Sequence, residues 1–223
     1  MTNETKQQRR DLLQRARRLL VASLCAGCAT LSTPAHSESI SAVLDRSQAV
    51  RLAALQSAAA RSERADVVHR SFDALVKRLP HDSGLEICVV GGPAAAELLG
   101  HVVVANESLA DLPEPMRLFV LAHEIGHAVL KHRQQMAALY ATRMPGEIDA
   151  VKVAATGDDL AIAAARLSRQ HEFEADAFAY QTLRPLGYGF ADVVGALTAF
   201  GMQPDTATHP GTRKRIAHLR SLG

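Results

Sequence analysis

The chain has no tryptophan, and aromatic residues make up only 4% of it. A core without indoles must be built from aliphatic side chains and close backbone approach. Cysteine is scarce as well. Two of the three, Cys25 and Cys28, lie near the N-terminus, so no disulfide framework is available. Cys88, in an apolar stretch, reads as a small core residue. A charge excess of one sign is also missing, because 25 basic residues face 23 acidic ones. A nucleic-acid partner needs a basic face, which this composition does not supply. No internal repeats or low-complexity runs occur. No segment offers the roughly 20 consecutive apolar residues that a spanning helix needs.

The N-terminus is patterned differently. Residues 1–18 hold six basic residues (Lys6, Arg9, Arg10, Arg15, Arg17 and Arg18) and two acidic ones. Leu19 to Leu31 is then thirteen residues without a charge. A basic region followed by a short apolar core predicts a secretory leader over residues 1–37. Ala26-Gly27-Cys28 resembles the end of a lipoprotein cleavage box, although Cys25 stands where Leu is usual. Two outcomes are open. Either Cys28 is acylated and anchors the protein to a membrane, or a signal peptidase cuts near Thr33-Pro-Ala35 or Ala35-His-Ser37. Either outcome predicts a cell-envelope location, periplasmic or membrane-anchored. Loss of the leader also takes the formal charge from +2 to near −2.

Residues 38–223 are enough for one domain with its own core. Residues 38–79 contain no Gly or Pro and predict one or two helices. Leu85–Val90 and His101–Ala105 are β-branched runs separated by Gly91, Gly92, Pro93 and Gly100, which predict strands. Asp111-Leu-Pro-Glu-Pro115 opens a helix expected to run to about Tyr140. Met144-Pro-Gly146 breaks it. Residues 147–166 read as helical with a turn at Thr156–Asp159, either a lid over a cleft or a plain connector. Helices follow over 160–183 and 192–200, and residues 209–222 close the chain.

The helix from Leu118 to Leu130 carries the chemistry. His123-Glu124-Ile-Gly-His127 places two imidazoles at i and i+4, on one helix face, where both can reach one metal ion. Glu124 lies beside the first ligand, within reach of a water to be activated. Two histidines and a carboxylate in so apolar a run are costly without a partner, and a metal is such a partner. A catalytic zinc takes a third protein ligand. A His six residues after His127 is excluded, since position 133 is Arg. His132 and His101 are candidates without a signature. The segment Leu167–Tyr180 offers Glu172, Glu174 and Asp176. Glu172 and Asp176 share a face, and Glu174 points elsewhere. Glu172 as third ligand with Asp176 behind it fits a His-His-Glu site.

The two segments together, His123–His127 and Ser168-Arg169-Gln-His-Glu172-Phe-Glu-Ala-Asp176, resemble the M-forty-eight metallopeptidases. These include the CAAX prenyl proteases, the HtpX heat-shock proteases and the BepA-like periplasmic proteases. A third element, Thr208-His209-Pro210 followed by Arg215-Ile216, is similar to the family's C-terminal motif. The resemblance spans roughly residue 85 to the C-terminus. It implies an α+β, zincin-like fold, mainly helical, with a small sheet beside the HExxH helix. It implies one Zn2+ per chain on His123, His127 and Glu172, with Glu124 as general base. His209 is implied to stabilise the transition state or to take the open metal position. Arg215 is implied to order its loop or pair with a site carboxylate, and Asp176 to orient a ligating histidine. A strand just before the metal helix is implied to form the cleft edge. Protein or peptide substrates and a part in envelope quality control follow from the same resemblance. The alternative is a non-catalytic or latent zincin-fold module that binds unfolded envelope proteins.

Overall fold

The Gly- and Pro-free stretch divides into two helices, α1 (Ile40–Ser57) and α2 (Glu63–Val76). Each begins on a serine cap. Ser39 Oγ accepts from the Ala42 N–H at 3.2 Å, and Ser62 Oγ from the Ala65 N–H at 3.0 Å. Between the helices, the Ala60 N–H donates to the Val89 carbonyl at 2.7 Å, which ties the break to the sheet. This computed structural model describes residues 38–79, 83–93, 95–199 and 201–222. The leader read from residues 1–37, with Cys28, lies outside the described residues. Among the described residues no helix is long and apolar enough to cross a membrane.

The sheet has three strands, β1 (Glu86–Val90), β2 (Ala96–Leu99) and β3 (Val102–Asn106), in the order β1-β3-β2. β1 runs parallel to β3, and β2 antiparallel to it. Gly100, at φ +66°, opens the two-residue turn that folds β2 back along β3. The strand nearest in sequence to the metal helix is therefore central, and the expected edge role falls to β2. Side chains alternate between the two faces of β3. Val103 and Ala105 join Val89, Phe72, Leu118 and Leu121 in the main core. Val102 and Val104 join Cys88, Val90 and Leu99 on the other face, closed by Leu52 and Leu55 of α1.

The metal helix, α3 (Glu114–Val129), carries Pro115 in its first turn. It stops well before Tyr140. Lys131 adopts the left-handed conformation (φ 59°, ψ 36°), and α4 (His132–Arg143) starts afresh in a new direction. The segment expected to hold a turn is helical throughout from Ala150. It is the first half of α5, a continuous 34-residue helix over Ala150–Leu183. Asp149 caps it, accepting from the Lys152 N–H at 2.8 Å. One interior glycine, Gly157, costs about 1 kcal/mol against alanine, and the alanine-rich turns around it absorb that. Single 3-10 turns cover Glu107–Asp111 and Arg184–Leu186, and α6 (Phe190–Thr198) and α7 (Thr212–Arg220) complete the chain. The whole is a mainly helical α+β fold of zincin-like type, with its small sheet beside the metal helix.

α3 crosses α5 at Gly126. A Cβ there would lie 3.0 Å from the Phe178 ring and 3.3 Å from the Ala175 backbone. The absent side chain lets the two helices approach closely enough for residues on each to share a site. Gly126→Ala gains about 1 kcal/mol of helix propensity, yet it must push against backbone that cannot yield cheaply. The variant is expected to unfold at a lower temperature than the parent and to bind zinc more weakly. An unfolding midpoint above the parent's would contradict this packing account.

Candidate metal centre

His123 and His127 lie one turn apart on α3 and turn their Nε2 atoms toward each other at 3.1 Å. Glu172 reaches across from α5. Its Oε2 is 3.5 Å from His123 Nε2, and its Oε1 is 3.5 Å from His127 Nε2. Zinc bonds of about 2.0–2.1 Å in a tetrahedron set ligand atoms roughly 3.3–3.4 Å apart. The three side chains therefore fit one metal ion, with spacings that bracket this value. His123 is 8% exposed and Glu172 6%.

Each imidazole is held from behind. His123 Nδ1 lies 3.0 Å from Asp176 Oδ1. Asp176 is fully buried, and Arg215 grips it with two hydrogen bonds, Nε to Oδ2 at 2.7 Å and Nη2 to Oδ1 at 2.5 Å. His127 Nδ1 lies 2.9 Å from His132 Nδ1, and His132 Nε2 is 3.1 Å from Glu174 Oε2. His132 thus stands behind a candidate ligand and not in the ligand set with Glu172. His101 sits at the β2–β3 turn, 4.0 Å from Glu86.

The charges favour a cation. Two buried carboxylates, Glu172 and Asp176, and the half-buried Glu124 face a single guanidinium. Burial disfavours ionisation of Glu172, but the hydrogen bond and charge of His123 outweigh it and hold the carboxyl at about 2. Burial likewise opposes a charge on His123, but Asp176 and Glu172 raise it to about 10. The carboxylates that favour a proton on His123 favour a divalent ion there as well. Burial and the neighbouring His123 push His127 down to about 3, so it is neutral with a lone pair to offer. Burial, with the crowding of His171, also leaves His132 neutral, at about 4.

Glu124 lines a cleft beside these groups. Burial lifts its carboxyl to about 7, against the pull of His123 and a main-chain hydrogen bond from Leu98 of β2. The cleft has two lobes that meet at Glu124 and His127. One, of about 330 Å³, is roofed by Leu44 and Gln48 of α1 and by Met136 and Tyr140 of α4. The other, of about 600 Å³, is lined by Ala96, Phe119, Leu197, Pro204 and His209. His209 Nε2 is 3.5 Å from Glu172 Oε1, and its ring is 59% exposed. The loop that carries it is pinned by Arg169, whose Nη2 donates to the Thr206 carbonyl at 3.0 Å.

Four groups take roles at the site that the sequence reading did not give them: His132 and Glu174 behind His127, Arg169 at the His209 loop, and the Leu98 main chain at Glu124. Arg169 and Glu174 lie inside the quoted second motif but carried no role there. A helix assumed to continue hid the contact of His132 with His127, because residues five apart on an α-helix sit about 140° apart around its axis. The left-handed Lys131 turns His132 back under His127.

Asp176 sits well below the usual carboxylate range. Burial opposes this, but the hydrogen bonds from Arg215 and His123 prevail. Its stabilising contribution is therefore present above about pH 4 and fades as the pH falls below that. Arg215→Met removes one partner of a buried pair and is expected to cost about 3–5 kcal/mol in chemical denaturation. Asp176→Asn is expected to flatten the acid limb of the stability–pH curve. A limb as steep as the parent's would show that Asp176 is not the group being protonated.

No curated protein and no solved structure matches the chain. A family model described as peptidase family M48 matches residues 94–222, more than half of the sequence, and covers the α3 histidines, Glu172, Asp176, His209 and Arg215. Members of that family are metallopeptidases, typically zinc-dependent, that act on proteins or peptides. The chain belongs to peptidase family M48.

Proposed function

We propose that the protein is a zinc-dependent endopeptidase of the bacterial cell envelope, with its working domain in residues 38–223. The observation that carries this reading is the convergence of two imidazoles and a carboxylate, 3.1–3.5 Å apart, beside Glu124 and an open strand edge. His123, His127 and Glu172 would hold the ion. Zinc there supplies a Lewis acid for the scissile carbonyl and a more acidic water.

The chain's own residues do the rest. The Ala95 carbonyl accepts from the Asn106 N–H at 2.9 Å, so Ala95, Glu97 and Leu99 turn their main-chain groups toward β3. Ala96 and Leu98 turn theirs outward. Leu98 steadies Glu124, and Ala96 is placed to pair with an extended peptide as an added strand. Two lobes on either side of Glu124 give room for substrate residues flanking the scissile bond. Glu124 takes the proton from the attacking water and passes it to the leaving amine, a task suited to a carboxyl poised near neutral pH. His209, exposed on the larger lobe beside Glu172, donates its N–H to the oxyanion that develops. Asp176 and Arg215 keep His123 oriented.

The envelope assignment rests on the basic-then-apolar order of residues 1–31, with Cys28 as acyl site or the 33–37 region as cleavage site. A role in protein quality control rests on the resemblance to BepA-like proteases. Acyl labelling that is absent from the parent, or that persists in Cys28→Ser, excludes the anchor.

Glu124→Gln separates catalysis from binding. The full-length variant is expected to keep one zinc per chain while casein cleavage falls at least 100-fold, the scale of a lost general base. Equal cleavage by parent and variant would contradict the role given to Glu124. Zinc in both with cleavage in neither would favour a latent or purely binding protein.

A further inference from the structure

Behind His127 lies a second cluster, made of His132, His171 and Glu174. One ligand atom from each of the three lies within 4.8 Å of the others, and both histidines are buried. Its composition looks like another metal site, but its geometry does not. The His132 and His171 rings stack with centroids 4.0 Å apart and planes 5° from parallel. Imidazole lone pairs lie in the ring plane, so two stacked rings cannot aim theirs at one point between them. The polar atoms around them are also engaged. His171 Nε2 meets Gln135 Oε1 at 3.2 Å, and Gln170 donates to Glu174 Oε1 at 2.7 Å. His132 uses both nitrogens, Nδ1 toward His127 and Nε2 toward Glu174.

We propose that His132 and Glu174 are positioning residues that extend the metal site outward through His127 and fix which nitrogen of His127 faces the ion. This rests on the reading of His123, His127 and Glu172 as the metal ligands. The tautomers then follow in order. His127 turns Nε2 to the site, so its proton sits on Nδ1. His132 Nδ1, 2.9 Å away, must then accept that proton's hydrogen bond, which leaves His132's own proton on Nε2. Nε2–H in turn donates to the Glu174 carboxylate 3.1 Å away. The stacked His171 ring and the Gln170 amide keep His132 and Glu174 in register. The two ligand histidines are thus held by unlike devices, His123 by a carboxylate–guanidinium pair and His127 by a carboxylate relayed through a second imidazole. The relay exists because Lys131 breaks the helix one residue before His132.

Long-range 1H–15N spectra of histidine-labelled, zinc-loaded full-length protein read the tautomers directly. The expected result is one zinc per chain, His127 as the Nδ1–H form and His132 as the Nε2–H form. In chelator competition His132→Ala is expected to weaken zinc binding about 10–100-fold, the usual cost of losing an outer partner of a ligand. His132→Gln, whose amide can both accept and donate, should recover most of that loss. Should His132→Ala fail to fold, the parent's tautomers still decide. His132 in the Nδ1–H form, or two zinc ions with one lost in His171→Ala, overturns the relay while leaving the first site intact. A parent that binds no zinc overturns the relay together with the metal reading beneath it.

Discussion

The close crossing of α3 over α5 is the constraint on which everything else depends. Without a side chain at Gly126, α3 lies so close to Ala175 and the Phe178 side chain of α5 that a Cβ there would come within 3.0–3.3 Å of them. On one side of that crossing His123 and His127 face Glu172 at 3.5 Å. On the other, the aliphatic core of Leu121, Ile125, Ala179 and Leu183 seals the helices together. A chain without tryptophan and with few aromatics cannot fill a wide gap between helices. Narrow helix spacing therefore both completes the core and assembles the site.

That geometry buries more negative than positive charge, and the fold answers it in layers. Arg215 neutralises Asp176, Asp176 orients His123, and His123 with His127 faces Glu172. Arg215 comes from α7, at the far end of the chain, and His209 from the loop just before it. The C-terminal segment is thus an integral wall of the centre, since α7 packs on both α5 and α6. The small sheet contributes differently. Its edge strand β2 faces the cleft, holds Glu124 through Leu98 and leaves Ala96 turned toward the substrate side. α1 roofs the smaller lobe without burying any residue fully, held by Leu52, Leu55 and the Arg133–Asp45 and Arg51–Glu97 ion pairs.

The parts of the site legible in the sequence are those set by helical periodicity. His123 with His127, and Glu172 with Asp176, share faces because four residues are close to one turn, and no tertiary knowledge is needed to pair them. The strands were legible from their β-branched runs, and the mainly helical α+β class was what the family resemblance implied. What escaped depends on backbone turns without a compositional mark. Lys131 is left-handed with no glycine to announce it, and the place of His132 behind His127 is hidden with it. β2 is a strand only because Gly100 folds it against β3, and four residues reading Ala-Glu-Leu-Leu have little strand preference of their own. The continuous α5 shows the converse, since Thr156-Gly-Asp-Asp159 carries turn chemistry that the surrounding helix overrides.

Anomalous diffraction at the zinc edge, from crystals of the zinc-loaded protein, tests the central claim most directly. The account predicts one strong peak per chain, bonded to His123 Nε2, His127 Nε2 and Glu172, with none between His132, His171 and Glu174. A peak at the second cluster, or a principal peak away from Glu172, would contradict it.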